Sequence, residues 1–341
     1  MFARLHTASL IALAMICATG AQADAVSDFY KDKTVTVVVP AGLGGSIGLY
    51  ALVFSHHIGR HIPGNPKIVL VAHPGASGVK AASYVYNAAP RDGTVIAQLL
   101  SNSLLAPLLR KAKFDPRKFQ WLGSIDPRSS VIGLWHTAPS KSLEDIKKTE
   151  TVLASGGRSA STTIVPLMMN KMIGTKFKIV TGYKGGGALN KAVEMGETHG
   201  RYIFYSGWTT RKPHWLKQGL VNIVVQIGPR IKSLPNVPSI TDLVTNPEHR
   251  QMLEFTMLSE RIGLAFWTQS QVQKDRFLAL RTAFDATMKD PAFLAEASKR
   301  NAPVNPVRGP ALAEIVRKGY QIPPAVLKKM KTMVGLSGKN K

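Results

Sequence analysis

The chain has 341 residues, of which 45% are hydrophobic and 19% charged, with 44 Lys and Arg against 20 Asp and Glu for a formal charge of +24. That hydrophobic content is globular rather than disordered, and the length exceeds what a single core usually fills, so two domains are expected. The cations are scattered rather than gathered into a basic stripe interleaved with aromatics; this argues against nucleic acid and leaves a solvated basic surface or a field that draws in anions.

Residues 1–23 read as a secretory signal: Arg4 gives the basic start, Leu10 to Ala18 the apolar core, and Ala21-Gln22-Ala23 the small-residue cleavage pattern. The apolar core is too short to stay in a bilayer, and no later run approaches a membrane span. Cys17, the only cysteine, falls inside this segment after Ile16, where a lipoprotein signal would carry a small residue. Cleavage removes the only thiol, which excludes disulfides, thiolate catalysis and cysteine-bound zinc in the product. An exported protein is expected.

The first strand, Val35 to Val39, is short and β-branched, as a strand buried on both faces should be. It breaks into Gly42, Gly44, Gly45 and Gly48 around Ser46, and apolar residues then recur at helical intervals from Leu49 to His61. A glycine loop opening onto a helix N-terminus suits a carboxylate or phosphate. Pro66 to Val71 is a second strand, His73 to Gly78 a turn carrying Ser77, Val79 to Ala89 a helix, and Thr94 to Leu100 a third strand ending in Ser101-Asn102-Ser103. This rhythm predicts a parallel sheet with crossover helices, in which ligands collect at the carboxyl ends of strands. Loops 41–48, 73–78 and 101–103 then share one rim.

The pattern restarts near Val131. Thr151 to Ala154 is a strand, and Ser155 to Thr163 a small-residue loop containing Gly157, Ser159, Ser161 and Thr162. A helix over 164–173 follows, with Pro166 tolerable only in its first turn. Lys178 to Thr181 is a strand, Gly182-Tyr183-Lys184-Gly185 opens a third glycine loop, and Ala188 to Met195 is a helix. Strands over 201–205 and 221–227 complete the unit, and the remainder returns to helices over 271–289, 291–300, 309–318 and 323–333. The fold class is therefore α/β, with two lobes facing a cleft.

The order Gly42-Leu43-Gly44-Gly45-Ser46, Leu49-Tyr50-Ala51, Gly59-Arg60-His61-Ile62-Pro63-Gly64, Pro74 to Gly78 and Pro90-Arg91-Asp92-Gly93-Thr94 resembles the periplasmic receptors of tripartite tricarboxylate transporters, the Bug family. Thr181 to Gly186, Gly196-Glu197, Val225 to Gly228, Leu234 to Pro238 and Phe284 to Pro291 are similar to the same family. The resemblance implies a monomeric two-lobed protein of the type II binding-protein fold, each lobe a mostly parallel sheet flanked by helices. Lobe 1 takes residues 24–128 and 228–341, lobe 2 residues 129–227. It implies a periplasmic receptor without catalysis or cofactor, which hands a small organic carboxylate to membrane subunits. The carboxylate is held by backbone amides and small hydroxyls, which maps to Gly44, Gly45, Ser46, Ser77, Ser101, Asn102, Gly157, Ser159, Ser161, Thr162, Gly182 and Tyr183. Gly48 and Leu52 stand where the family usually carries Asp and Arg, and His73 where Asn is common; this favours a plain mono- or dicarboxylate over an amino acid.

Two further functions compete. Gly44-Gly45-Ser46-Ile47-Gly48 matches the nucleophile-elbow pattern of serine hydrolases, although it follows the first strand and no later histidine has an evident carboxylate partner. A binding protein that signals rather than transports is the other. His57 and His61 lie one helical turn apart, as metal ligands can, but no carboxylate follows at ligand spacing, so with His56 they read as a solvated face. Arg158 and Lys184 read as surface residues, and Tyr205 and Trp208 as core aromatics rather than cleft walls.

Overall fold

β1 (Thr34–Val39) lies between β2 (Lys67–Ala72) and β3 (Val95–Gln98) and runs parallel to both. Helices α1 (Ser46–Ile58) and α2 (Val79–Asn87) make the crossovers, and Val35, Val37, Val38 and Val39 are sealed from solvent. The computed structural model describes residues 25–110 and 112–337; the proposed signal with Cys17 lies outside them.

Antiparallel strands extend this parallel core. β10 (Ala265–Thr268) enters between β3 and β4 (Gln120–Ser124), and β11 (Val307–Arg308) closes the edge, for an order β11-β4-β10-β3-β1-β2. The second sheet contains β5 (Ser130–Trp135), β6 (Thr151–Ser155), β7 (Phe177–Thr181), β8 (Gly200–Phe204) and β9 (Val221–Ile227) in the order β7-β6-β8-β5-β9. β6 runs parallel to β7 and β8, whereas β5 is antiparallel to β8 and β9. Both sheets are thus mixed: the expected parallel units form their centres.

Helices start earlier than the sequence reading places them. α3 spans Ser161–Met172, so Pro166 lies inside it rather than in its first turn, and α4 spans Gly185–Glu194, with three glycines as its opening turn. Neither start carries an apolar signal: α4 opens on three exposed glycines and α3 on the polar run Ser161 to Thr163.

Each lobe packs its core around aromatics. Phe54 lies 4.2 Å from Phe266 and 5.6 Å from Phe284, ring centre to ring centre. A β-carbon on Gly123 would stand 2.3 Å from the Phe284 ring, and one on Gly133 2.3 Å from Trp208, so each sheet omits a side chain where a large ring lies flat on it. Trp208 is fully buried with Trp215, a core residue as expected.

The chain passes from the first sheet to the second at residues 125–129. Ile240, Val244, Leu253 and Met257 still pack in the second sheet's core, and the return runs through the short helix Leu258–Ile262 and Gly263. The two passages lie side by side: Leu264 N donates to Asp126 O (3.1 Å) and Arg128 N to Glu260 O (2.8 Å).

The His56/His57/His61 face is solvated only in part: His56 is exposed and His61 half-buried, while His57 is buried. His56 and His57 hydrogen-bond to Glu296 (3.2 and 2.8 Å), and His61 to Asp290 (2.7 Å), which Arg60 also grips. The carboxylates come from more than two hundred residues away, so spacing along the helix does not show them. The partners hold the Asp290 and Glu296 carboxyls below their ordinary range, against the opposing effect of burial. A depressed carboxylate pKa contributes stability that is complete above the unfolded pKa, about 4, and is lost as pH falls through the folded value. Asp290→Asn keeps a side-chain oxygen to accept from Ala292 N but loses the charge. It is expected to cost about 2 kcal/mol in urea unfolding at pH 7, a deficit that narrows steadily below pH 4.

Candidate ligand cleft

α1 is preceded by Gly45, which supplies no side-chain cap, and no acidic residue sits in its first turn. Its leading amides and positive dipole end therefore remain available to an anion. Gly48 has a local cause: a β-carbon there would lie 2.3 Å from Leu43 O, so the loop folds too tightly on itself for any side chain. Gly44 differs, since a β-carbon there would meet nothing within 4 Å.

The second lobe repeats the device. α3 begins after Ala160 with no side-chain cap and no acid in its first turn. Ser155, at the end of β6, bonds the hydroxyls of Thr162 and Thr163 (2.6 Å each), and Thr163 Oγ1 donates to Gly157 O (2.8 Å). These bonds pin the loop while leaving Gly157 facing open space, again with nothing within 4 Å of a β-carbon. Ser159 is half-buried beside the exposed Arg158.

Each helix start touches the opposite lobe. Ser161 Oγ donates to Asn102 Oδ1 (2.8 Å) across the gap, and Arg211 of the second lobe donates to Gly45 O (2.8 Å). Ser46 Oγ accepts from Arg128 Nη2 at 3.5 Å. Ser101 is buried at the end of the third strand, and Ser77 sits in the neighbouring turn with φ of 51°. Gly182 has φ of 114°, and Tyr183 turns its hydroxyl outward to Glu197 (3.1 Å) while its amide donates to Ser155 O (3.4 Å). Lys184 is exposed.

Sequence reasoning missed Arg128. Its guanidinium is 2% exposed, donates to Ser206 Oγ (2.9 Å), and stacks over Phe204 with its carbon 4.2 Å from the ring centre. It makes no salt bridge among the described residues. Burial lowers its pKa, opposed by the fields of Tyr50, Asp126 and Glu260. A lone arginine between the apolar runs ending at Ile125 and starting at Val131 was the available signal, since arginine is rarely buried without a purpose.

No protein-family model matches the chain, and no curated protein matches it in sequence. Solved structures do match. The periplasmic binding protein BugD is 19% identical with a TM-score of 0.71, over 90% of this chain and 99% of that one. A Rhodopseudomonas palustris protein solved with adipate is 18% identical, TM-score 0.66, over 89% and 97%. MatC from Rhodopseudomonas palustris, with bound malate, is 16% identical, TM-score 0.65, over 89% and 99%. The fold is that of a two-lobed periplasmic binding protein.

Among the described residues the elbow-like Ser46 has no histidine partner. Its hydroxyl bonds an arginine, not a histidine; His57 and His61 lie at the far end of α1, and His199 Nδ1 accepts from Val152 N (3.1 Å) at the opposite end of β6. Among the described residues no group of three or more His, Cys, Asp and Glu is placed to hold a metal, and no helix is long and apolar enough to cross a membrane.

Proposed function

We propose that the chain is a periplasmic receptor of the Bug type, which captures a small dicarboxylate between its lobes and presents it to the membrane subunits of a tripartite carrier, without chemistry of its own. One observation carries the reading: two uncapped helix starts on opposite lobes are each tied to the other lobe, and the glycines leading into them, Gly44 and Gly157, face space that a β-carbon would fill without meeting the protein. Packing does not demand a glycine at either place; the close approach of a ligand to the backbone does. We assign residues 24–128 and 228–341 to lobe 1 and 129–227 to lobe 2, with 240–257 docked on the second sheet.

The ligand would be gripped at one end by the 44–46 amides and at the other by the 157–162 corner, with Asn102 and Ser161 closing beside it. Contacts made only when the lobes meet would favour the closed state. The adipate and malate held by two structures of this fold support a dicarboxylate. So does Gly48, which offers no side-chain acceptor for an ammonium group.

A thermal-shift panel tests this. Adipate, malate and succinate at about a hundred times a micromolar Kd would add about 2.7 kcal/mol, or a Tm rise of roughly 5 °C. Glutamate and lysine should give none. A panel in which only amino acids stabilise the protein would overturn the reading.

A further inference from the structure

Beside the hinge lies a cavity of about 1020 Å³ that none of the cleft residues named above as ligand contacts enters. One wall is the first passage, residues 126–129. A second comes from lobe 2, with Tyr205, Ser206 and Thr209, and a third from lobe 1, with the 229–233 and 301–305 loops. Three cations line it, Arg128, Arg230 and Lys232, against one carboxylate, Asp126.

That carboxylate lies in the field of Arg128 and offsets only part of the positive charge. Asp126 accepts from Asn305 Nδ2 (2.8 Å), and its burial pushes its pKa up to about 6. Arg128 is buried and bonded only to neutral hydroxyls, Ser206 and Ser46. Arg230 pairs with Asp242, but both are more than half exposed, so water screens the pair. Lys232 is exposed and makes no salt bridge among the described residues. The cavity is therefore a positive recess with hydroxyl donors at its wall, the chemistry that receives an oxyanion.

We propose that this cavity is a second anion site, separate from the cleft, which takes a compact polyanion of phosphate or carboxylate chemistry with at least two charges. Arg128 is the buried cation of its lining, and Arg230 and Lys232 are the exposed ones. An occupant touches both lobes and the passage between them.

Calorimetric titration of the full chain at fixed ionic strength tests the site, with inorganic pyrophosphate in one arm and propane-1,2,3-tricarboxylate in the other. The expected result is one saturable site for at least one probe, with the tighter arm naming the chemistry. Binding should weaken at least tenfold in the double variant Arg230→Ala/Lys232→Ala. It should stay within twofold of wild type in Lys31→Ala/Lys67→Ala, which removes the same charge from an exposed stretch of lobe 1. Saturating adipate should not displace the probe. The proposal is overturned if neither probe binds saturably, if both double variants lose affinity alike, or if adipate competes, which would place the anion in the cleft. Melting curves of both variants establish that they are folded.

Discussion

Gly263→Ala is expected to destabilise the protein by about 4 kcal/mol, the sum of backbone overlap and a strained torsion. Gly263 ends the return helix with φ of 50°, and a β-carbon there would lie 1.8 Å from Asp126 O and 2.9 Å from Pro127 Cα. All of these are backbone atoms of the other passage, so no side chain can swing aside. The substitution must push the two passages apart and strain the bond from Leu264 N to Asp126 O. Urea unfolding reads the loss. Gly157→Ala is the control, with nothing within 4 Å of its new methyl, and should change stability by less than about 0.5 kcal/mol. A loss below about 1 kcal/mol at Gly263 would mean that the passages do not lie this close.

The second large effect concerns Glu260, a carboxylate 1% exposed on the return helix. It accepts from Ser130 Oγ (2.9 Å) and Ser259 Oγ (2.7 Å), and from Tyr202 Oη, so it ties the return passage to strands β5 and β8 of the other lobe. Glu260→Ala leaves the buried Ser130 and Tyr202 hydroxyls without their acceptor, while Ser259 Oγ keeps Thr256 O (3.0 Å), and opens a cavity, for an expected cost of about 3–5 kcal/mol. Glu260→Gln keeps an acceptor and should lose less. The two forms also differ with pH. Burial raises the Glu260 pKa, so the folded state holds its proton more tightly than the unfolded chain. Stability then declines as pH rises from the unfolded carboxyl pKa, about 4.3, through the folded value. The opposite sign holds for Asp290. Glu260→Gln should remove that decline, so its deficit against wild type should shrink as pH rises. A deficit constant from pH 4 to 8 would contradict a raised pKa.

Features written locally were legible in the sequence. Val35 to Val39 declares a buried strand by composition, and each glycine loop lies next to the helix it opens. Features made by distant pairing were not. Ala265 to Thr268 is three apolar residues and a threonine in a helical region, and only its ladders to β3 and β4, antiparallel and remote in sequence, make it a central strand. The carboxylates that hold His57 and His61 lie on another helix, so a turn-by-turn search along α1 misses them. Pro166 misplaced the start of α3 because its first turn, Ser161 to Thr163, is polar and reads as loop until Ser155 and Asn102 supply its partners. Arg128 became visible only once Ser46 and Ser206, from opposite lobes, closed around it.

The claim on which the function rests is that both lobes grip one anion. Titration calorimetry of adipate or malate against wild type, Gly44→Val and Gly157→Val tests it. Both glycines have room for a side chain without disturbing their neighbours, so both variants should fold and melt like wild type. The expected result is 1:1 binding at about micromolar Kd, worth about 8 kcal/mol, weakened by at least tenfold in each variant. Wild type that takes up neither acid, or loss of affinity in one variant while the other binds as wild type does, would contradict a ligand held between the lobes.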